Sequence, residues 1–295
     1  MGQMPELIAL KVLVAVADHG SMSAAAREVG MAQPNASRSL STLERRLGLR
    51  LLKRSTTGSV PTPEGYLVVE WARQVLDEVD ALVANATALH DADGGRLSVV
   101  ASQTIAEHLL PGWLTRFRSV HPEVQLQVGV ENTDGVLAQL HSGACEIGFI
   151  EGPLPHGSAH AQIVAHDELV LVVSPDHRWA QRDEPIAAEQ LLDGILITRE
   201  SGSGTRRVLD DALPHPVTPQ MELNSNTAVR VAVTAGAGPA VLSHLAVRDA
   251  LRAGQLIALP VAGASFRRPL RAVWSGPQHL GEHATTLVRL ASERG

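Results

Sequence analysis

At 295 residues, with 44% hydrophobic and 19% charged side chains, the chain is long enough for two domains, or for one domain in two lobes, each with its own core. The mixed composition and a net charge of −6 exclude a disordered chain, and no apolar run approaches the roughly 20 residues a membrane span needs. A single cysteine, Cys145, excludes internal disulfides and multi-cysteine metal cages, and reads as a small buried side chain beside Ile147 and Phe149.

Met1–Leu10 has no basic stretch leading into an apolar core, so no secretory signal is expected and the cytoplasm is the expected compartment. Charge is unevenly placed. Up to Gly65 eight bases face five acids, a net +3, while the remainder carries seventeen bases and twenty-six acids, a net −9. A basic segment in an acidic chain is where a polyanion would be met.

Leu7, Leu10, Leu13, Val14 and Ala17 recur at helical spacing after Pro5 and predict a first amphipathic helix ending near Gly20. Ser21 caps a second, Met22 to Val29, stopped by Gly30. After Met31-Ala32, Pro34 suits the first turn of a third helix, with Ala36, Leu40, Leu43 and Leu47 facing inward before Gly48. Three short helices with a tight turn between the last two form a helix-turn-helix pattern. The other side of the third helix carries Gln33, Asn35, Ser37, Arg38, Ser41, Thr42 and Arg45. Amides and guanidinium groups match base edges in a major groove, and hydroxyls match phosphates; a solvated helix face would look similar.

Leu49–Pro63, with Gly58, Pro61 and Pro63 among basic and hydroxyl residues, reads as a hairpin-like wing. Glu64–Leu89 is one long helical pattern. Val68, Val75, Leu82 and Leu89 lie seven apart, as do Ala72, Val79 and Ala86, a seam suited to pairing two helices. A helix packed on its own domain is the alternative, and Leu67 and Trp71 fit either reading. Asp91–Gly95 makes a linker.

Beyond it, apolar or alternating runs predict strands at Leu97–Ala101, Val124–Val130, Ile147–Ile150, Leu169–Val173, Ile195–Thr198, Ala240–Ser243, Leu256–Leu259 and Leu270–Trp274. Helices are predicted between them at Ile105–Val120, Thr133–Ser142, Ile186–Leu192, Thr205–Leu213, Thr227–Ala235 and His244–Ala253. The alternation predicts an α/β architecture with mostly parallel strands. No metal site or cofactor is expected: the thirteen histidines include no HExxH pair, and His156 and His160 are flanked by helix-breaking Pro153, Pro155 and Gly157.

Residues Leu10–Gly65 resemble the N-terminal signature of the LysR-type transcriptional regulators. The matching features are His19-Gly20-Ser21, Ala24-Ala25-Ala26-Arg27, Gln33-Pro34, Ser37-Arg38, Leu43-Glu44, Leu47-Gly48, Leu51-Leu52-Lys53-Arg54 and Thr62-Pro63-Glu64-Gly65. The resemblance implies a winged helix-turn-helix (residues 1–63) in which Gln33, Pro34, Ser37 and Arg38 meet double-stranded promoter DNA and Arg54 enters the minor groove. Asn35 and Ser41 are added to that set from the helix face. Leu13, Met22 and Leu52 stand where the family usually has phenylalanine, and Ala32 replaces a frequent serine, removing a cap.

The resemblance runs on over almost the whole chain. It implies a dimerising linker helix (64–90) and a two-lobed periplasmic-binding-protein-like α/β effector domain (94–295), with lobe I about 94–165 and 267–295 and lobe II about 166–266. It also implies a homodimer or homotetramer. The ligand cleft between such lobes is lined by strand ends and helix starts, whose unpaired N–H groups favour anions. Here the candidates are Ser102, Gln103, Thr104, Asn132, Glu151, Arg199, Ser201, Gly202, Ser203 and Asn226. Ile150-Glu151-Gly152, Arg199–Arg206 and Glu222–Ser225 are similar to the branch of sulfite-responsive and carbon-fixation regulators, implying a small anionic effector. Arg199, Arg206 and Arg207 would supply positive charge; Glu151 and Glu200 would oppose it.

Gly202-Ser203-Gly204 is followed by Thr205-Arg206 and lacks the lysine of a nucleotide-phosphate loop. A solute-binding protein would not explain Leu10–Gly65. An enzyme would need a nucleophile motif, and no G-x-S-x-G elbow is present, so no catalytic residue is assigned.

Overall fold

The structure, a computed structural model, describes residues 4–55, 58–91, 95–154, 160–275 and 280–293, with backbone alone at 54, 55, 81, 84, 85 and 87–91. The chain divides into two compact units, Met1–Ala84 and Asn85–Gly295.

The first unit holds α1 (Leu7–His19), α2 (Met22–Glu28), α3 (Gln33–Leu47), the hairpin β1 (Leu52–Ser55) and β2 (Gly58–Pro61), and the start of α4 (Pro63–Asp91). Leu10, Leu13 and Val16 of α1 pack with Leu40 and Leu43 of α3, Leu51, and Val68, Val69, Ala72 and Leu76 of α4. Leu47, expected inside, is exposed at the last turn of α3. Ala32 gives α3 no side-chain cap, and Pro34 occupies its first turn.

The Thr62–Gly65 run is a joint between wing and helix. Thr62 Oγ1 accepts the Gly65 N–H at 2.9 Å and donates to Arg50 O at 2.7 Å. A side chain on Gly65 would place Cβ 2.0 Å from Leu51 O, so only glycine lets α4 start this close to the wing. Glu44 Oε1 ties the same loop to α3 by accepting from Leu51 N (2.8 Å) and Leu52 N (3.2 Å).

The seam along α4 is divided between buried and exposed residues. Val68 and Ala72 belong to the core of their own unit, whereas Val75 and Leu82 are exposed, as are Leu67 and Trp71. Val79 is half-buried and Ala86 exposed; the side chain of Leu89 lies outside the described residues.

The second unit opens with β3 (Arg96–Ser102), α5 (Gln103–His108), α6 (Leu110–Val120), β4 (Gln125–Glu131), α7 (Thr133–His141), β5 (Ile147–Glu151) and β6 (His160–Val173). It continues through β7 (Ile186–Ala187), β8 (Ile197–Arg199), α8 (Gly204–Asp211), β9 (Met221–Leu223), α9 (Asn226–Thr234), β10 (Ala240–Ser243) and α10 (His244–Arg252). The chain closes with β11 (Ile257–Leu259), β12 (Val261–Ala262), β13 (Arg267–Trp274) and α11 (Glu282–Ser292).

Strands β4, β3 and β5 are parallel neighbours. Strand β13 lies antiparallel to β5, and β6 antiparallel to β13. The sheet is therefore mixed rather than mostly parallel. Strand β6 is long enough to serve two lobes: residues 160–168 pair with β13, and residues 169–173 with β10 and β11. The chain returns beside it, where Leu169 N donates to Phe266 O at 3.1 Å just before β13. One lobe buries Leu97, Phe117, Ile147, Phe149 and Leu287; the other buries Leu171, Trp179, Leu191 and Leu209 on one side of its sheet and Ile197, Val229 and Leu242 on the other.

Several predicted elements differ in detail. The helix expected over Ile105–Val120 breaks at Leu109, because Pro111 follows and supplies no N–H to continue the ladder. Ile186–Leu192 is a two-residue strand and a 3-10 turn. The strand expected at Leu169 starts at His160, in a stretch whose mostly exposed side chains give no alternation to read. Met221–Leu223 and Glu282–Ser292 were not expected as elements.

Candidate functional site

Two places bring the candidate residues together, one in each unit. On α3, Gln33, Pro34, Asn35, Arg38, Ser41 and Arg45 are exposed and Ser37 is half-buried, while Ala36, Leu40 and Leu43 face the core. Ser41 Oγ donates back to Ser37 O at 2.9 Å, and Arg45 Nη2 donates to Thr42 Oγ1 at 3.2 Å. The first two turns thus leave the Gln33 and Asn35 amides and the Arg38 guanidinium exposed. The wing is anchored by Ser59 N donating to Gly20 O at 2.9 Å. Arg54 sits on β1 opposite Ser59, its side chain outside the described residues.

In the second unit, Ser102, Thr133 and Glu151 stand at or just beyond the C-terminal ends of the neighbouring parallel strands β3, β4 and β5, the edge where open α/β sheets bind ligands. The loop before α8 closes over them from the other lobe. Asp134 N donates across to Gly202 O at 3.2 Å, and Arg207 pairs with Asp134 at 2.6 Å. Gln103 donates to Asn224 O at 2.8 Å and accepts from Asn226 N at 3.1 Å. Gly202 has φ +87°, and a Cβ there would lie 2.8 Å from Asp134 Oδ2, so the approach of the lobes depends on glycine.

Within this crevice Thr104, Glu151, Arg199, Ser203 and Asn226 are buried, Gln103, Asn132 and Gly202 are half-buried, and Ser201 is exposed. Thr104 N donates to Glu151 Oε1 at 2.9 Å, Asn226 Nδ2 to Thr104 Oγ1 at 3.2 Å, and Arg199 Nη1 to Asn226 Oδ1 at 2.6 Å. Asn132 and Ser203 are spent as helix caps, accepting from Gly135 N and Thr205 N. Ser102 Oγ and Thr133 Oγ1 are buried without a partner at standard hydrogen-bonding geometry, although the Ser102 hydroxyl lies near enough to favour the Glu151 charge.

The expected positive charge is internally matched. Arg199 pairs with Glu200 at 2.8 Å; Arg206 reaches Asp210 (2.8 Å) and Glu222 (3.3 Å). Cys145 is buried, and burial, then the neighbouring Glu146, pushes its thiol up to about 12, so it holds its proton. Among the described residues no cluster of His, Cys, Asp and Glu could hold a metal ion, and His156 lies outside them.

Residues 7–66 match the bacterial regulatory helix-turn-helix protein, lysR family, and residues 90–295 match the LysR substrate binding domain. The chain belongs to the LysR family. It is a DNA-binding transcriptional regulator controlled by an effector. This LysR-type regulator is similar to the uncharacterized HTH-type transcriptional regulator Rv2282c of Mycobacterium tuberculosis, with 41% identity over 93% of this chain and 92% of that protein. A probable RuBisCO transcriptional regulator of Trichormus variabilis is 31% identical over 88% of this chain and 80% of its own length, on the carbon-fixation side of the resemblance. The effector unit shares its fold with the Synechocystis CcmR regulatory domain in complex with 2-PG (TM-score 0.61, 22% identity, 67% of this chain and 96% of that one). No described helix is long and apolar enough to cross a membrane.

Arg268 was missed by sequence reasoning. It lies opposite Asp167 in the β13–β6 ladder and is completely buried, its side chain 0% exposed. Its guanidinium meets Asp167 Oδ2 at 2.7 Å and Glu151 Oε2 at 2.5 Å, and also donates to Thr205 Oγ1 (3.1 Å) and Thr104 Oγ1 (3.4 Å). Burial alone would push the Glu151 carboxyl up, but Arg268, then the Ser102 hydroxyl and the Thr104 donors, outweigh it and hold Glu151 below its ordinary value. A signal existed: Arg268, Leu270 and Ala272 alternate inward, and extending the predicted strand back by one period would have placed Arg268 inside.

Proposed function

We propose that the regulator reads an operator in double-stranded DNA through Gln33, Pro34, Asn35, Ser37, Arg38 and Ser41 on α3, with Arg54 reaching the minor groove from the wing. The observation that carries this reading is the exposed amides and guanidinium on the first turns of α3, set in a basic N-terminal segment of an acidic chain. Residues 1–63 read DNA, 64–90 join two protomers, and 94–295 sense the effector in the cytoplasm. The assembly is a homodimer or a homotetramer. No bond is made or broken; effector binding shifts the closure of the lobes and so the spacing of paired DNA-reading modules.

The effector occupies the crevice of Ser102, Gln103, Thr104, Asn132, Glu151, Arg199, Ser201, Gly202, Ser203 and Asn226. A small anion is the proposed class, because the N-termini of α7 and α8 meet there and the buried Thr133 hydroxyl has no partner among the described residues. With Arg199 and Arg207 already paired, such an anion is held by hydroxyls and backbone N–H groups or takes an arginine from its carboxylate.

Arg38→Ala is expected to weaken binding to a duplex selected by the parent chain by about 1–3 kcal/mol, roughly 5–150-fold, with a smaller change on unselected DNA. Fluorescence anisotropy at fixed salt measures it. Equal affinity of parent and variant for the selected duplex would remove Arg38 from the reading surface.

A further inference from the structure

We propose that Arg268 is the positioning residue that ties closure of the two lobes to the contents of the effector crevice. Two facts point to it. Its place is the crossing between lobes: β6 and β13 are the strands shared there, and Arg268 is held to β6 through Asp167, whose other oxygen accepts from Ser243 Oγ at 3.0 Å. Its reach is to both sides, to Thr104 and Glu151 in one lobe and to Thr205, in the first turn of α8, in the other.

The polar groups that an effector would engage in the centre of the crevice therefore hang on one cation. Thr205 Oγ1 itself reaches Glu151 Oε2 at 3.4 Å, and Thr104 Oγ1 also takes Asn226 Nδ2 from the opposite lobe. A ligand that draws a hydrogen bond from Thr104 or Thr205, or recruits Glu151, changes the partners of Arg268, and the change is delivered to the crossing strand. Lysine could supply the charge but not the fork of donors that reaches four residues. The inference rests on reading this crevice as the effector seat. The test is run without ligand, so it strikes the arginine's role alone, whereas failure of small molecules to bind would strike the effector reading alone.

The Asp134 amide reports closure, since it is bonded across the crevice to Gly202 O. Hydrogen exchange of the full-length chain, followed by mass spectrometry, compares the parent with Thr205→Val, Thr104→Val, their double variant and Arg268→Lys. Thr205→Val keeps the shape and the Arg268–carboxylate pairs, but removes the cross-lobe acceptor of Arg268 and the longer hydroxyl contact to Glu151. Exchange at residues 132–136 and 202–206 is expected to accelerate roughly tenfold in Thr205→Val. Peptides from β3 and α11 should not change. The two valine effects should fail to multiply in the double variant, because both act through one guanidinium. Arg268→Lys should open the same peptides. Unchanged exchange at 132–136 in Thr205→Val, uniform acceleration across the unit, or cleanly multiplicative effects would each overturn the proposal.

Discussion

Arg268→Met is expected to destabilise the effector unit by about 3–5 kcal/mol, because it strands two buried carboxylates that now share one cation. The loss is electrostatic, and its pH dependence says so. In the parent, Glu151 is held below its ordinary value, so its contribution is present at neutral pH and is lost only as pH falls through the depressed folded value. In the variant, burial without the cation raises the folded value above the unfolded one, so the folded state takes up a proton and becomes relatively more stable as pH drops. Urea unfolding at neutral pH and near pH 5 should show the gap between variant and parent narrowing on acidification. A gap that is the same at both pH values would mean that lost packing, not stranded charge, causes the destabilisation.

The second large effect is expected at the exposed seam of α4. Trp71 is 60% exposed and Leu82 69% exposed in the single chain, with Leu67 and Val75 on the same stretch. Val68, Val69, Ala72 and Leu76 already bind the helix to its own unit, and under the proposed pairing the outer apolar side chains would face a second copy. Val75→Lys and Leu82→Lys would each bury an ammonium in that seam at a cost of about 2 kcal/mol or more, weakening the dimer at least roughly 30-fold per site. Sedimentation should show monomer for the double variant at concentrations where the parent is assembled, and selected-duplex affinity should fall with it because two half-sites are no longer held together. A double variant that sediments like the parent would place the interface elsewhere.

The DNA-reading unit was legible in the sequence because local rules decide it. Gly20, Ser21, Gly30, Pro34 and Gly48 punctuate three helices whose apolar spacing is regular, and the observed bounds follow them closely. Even Thr62-Pro63-Glu64-Gly65 has a local cause, a cap and a close approach to Leu51 O. The effector unit was legible by element and much less so by charge. Gln103, Thr104, Glu151, Arg199 and Asn226 do meet in one network, yet which cation serves which carboxylate depends on contacts between residues more than one hundred positions apart. Arg206, adjacent to the glycine loop, spends its charge on Asp210 and Glu222, while Arg268, far along the chain, is the cation brought to Glu151. Sequence spacing carries no information about such pairings, and the uneven exposure of residues 160–168 hid the very strand on which the lobes cross.

Operator reading is tested most directly by selecting bound duplexes from a random pool with the purified full-length chain at about 0.15 M salt, where non-specific phosphate binding is suppressed. Enrichment is expected of a two-fold-related sequence with half-sites about one helical turn or a multiple apart, bound at least roughly 1,000-fold more tightly than the starting pool. A recovered pool no different from the input, with affinity set by salt alone, would contradict it.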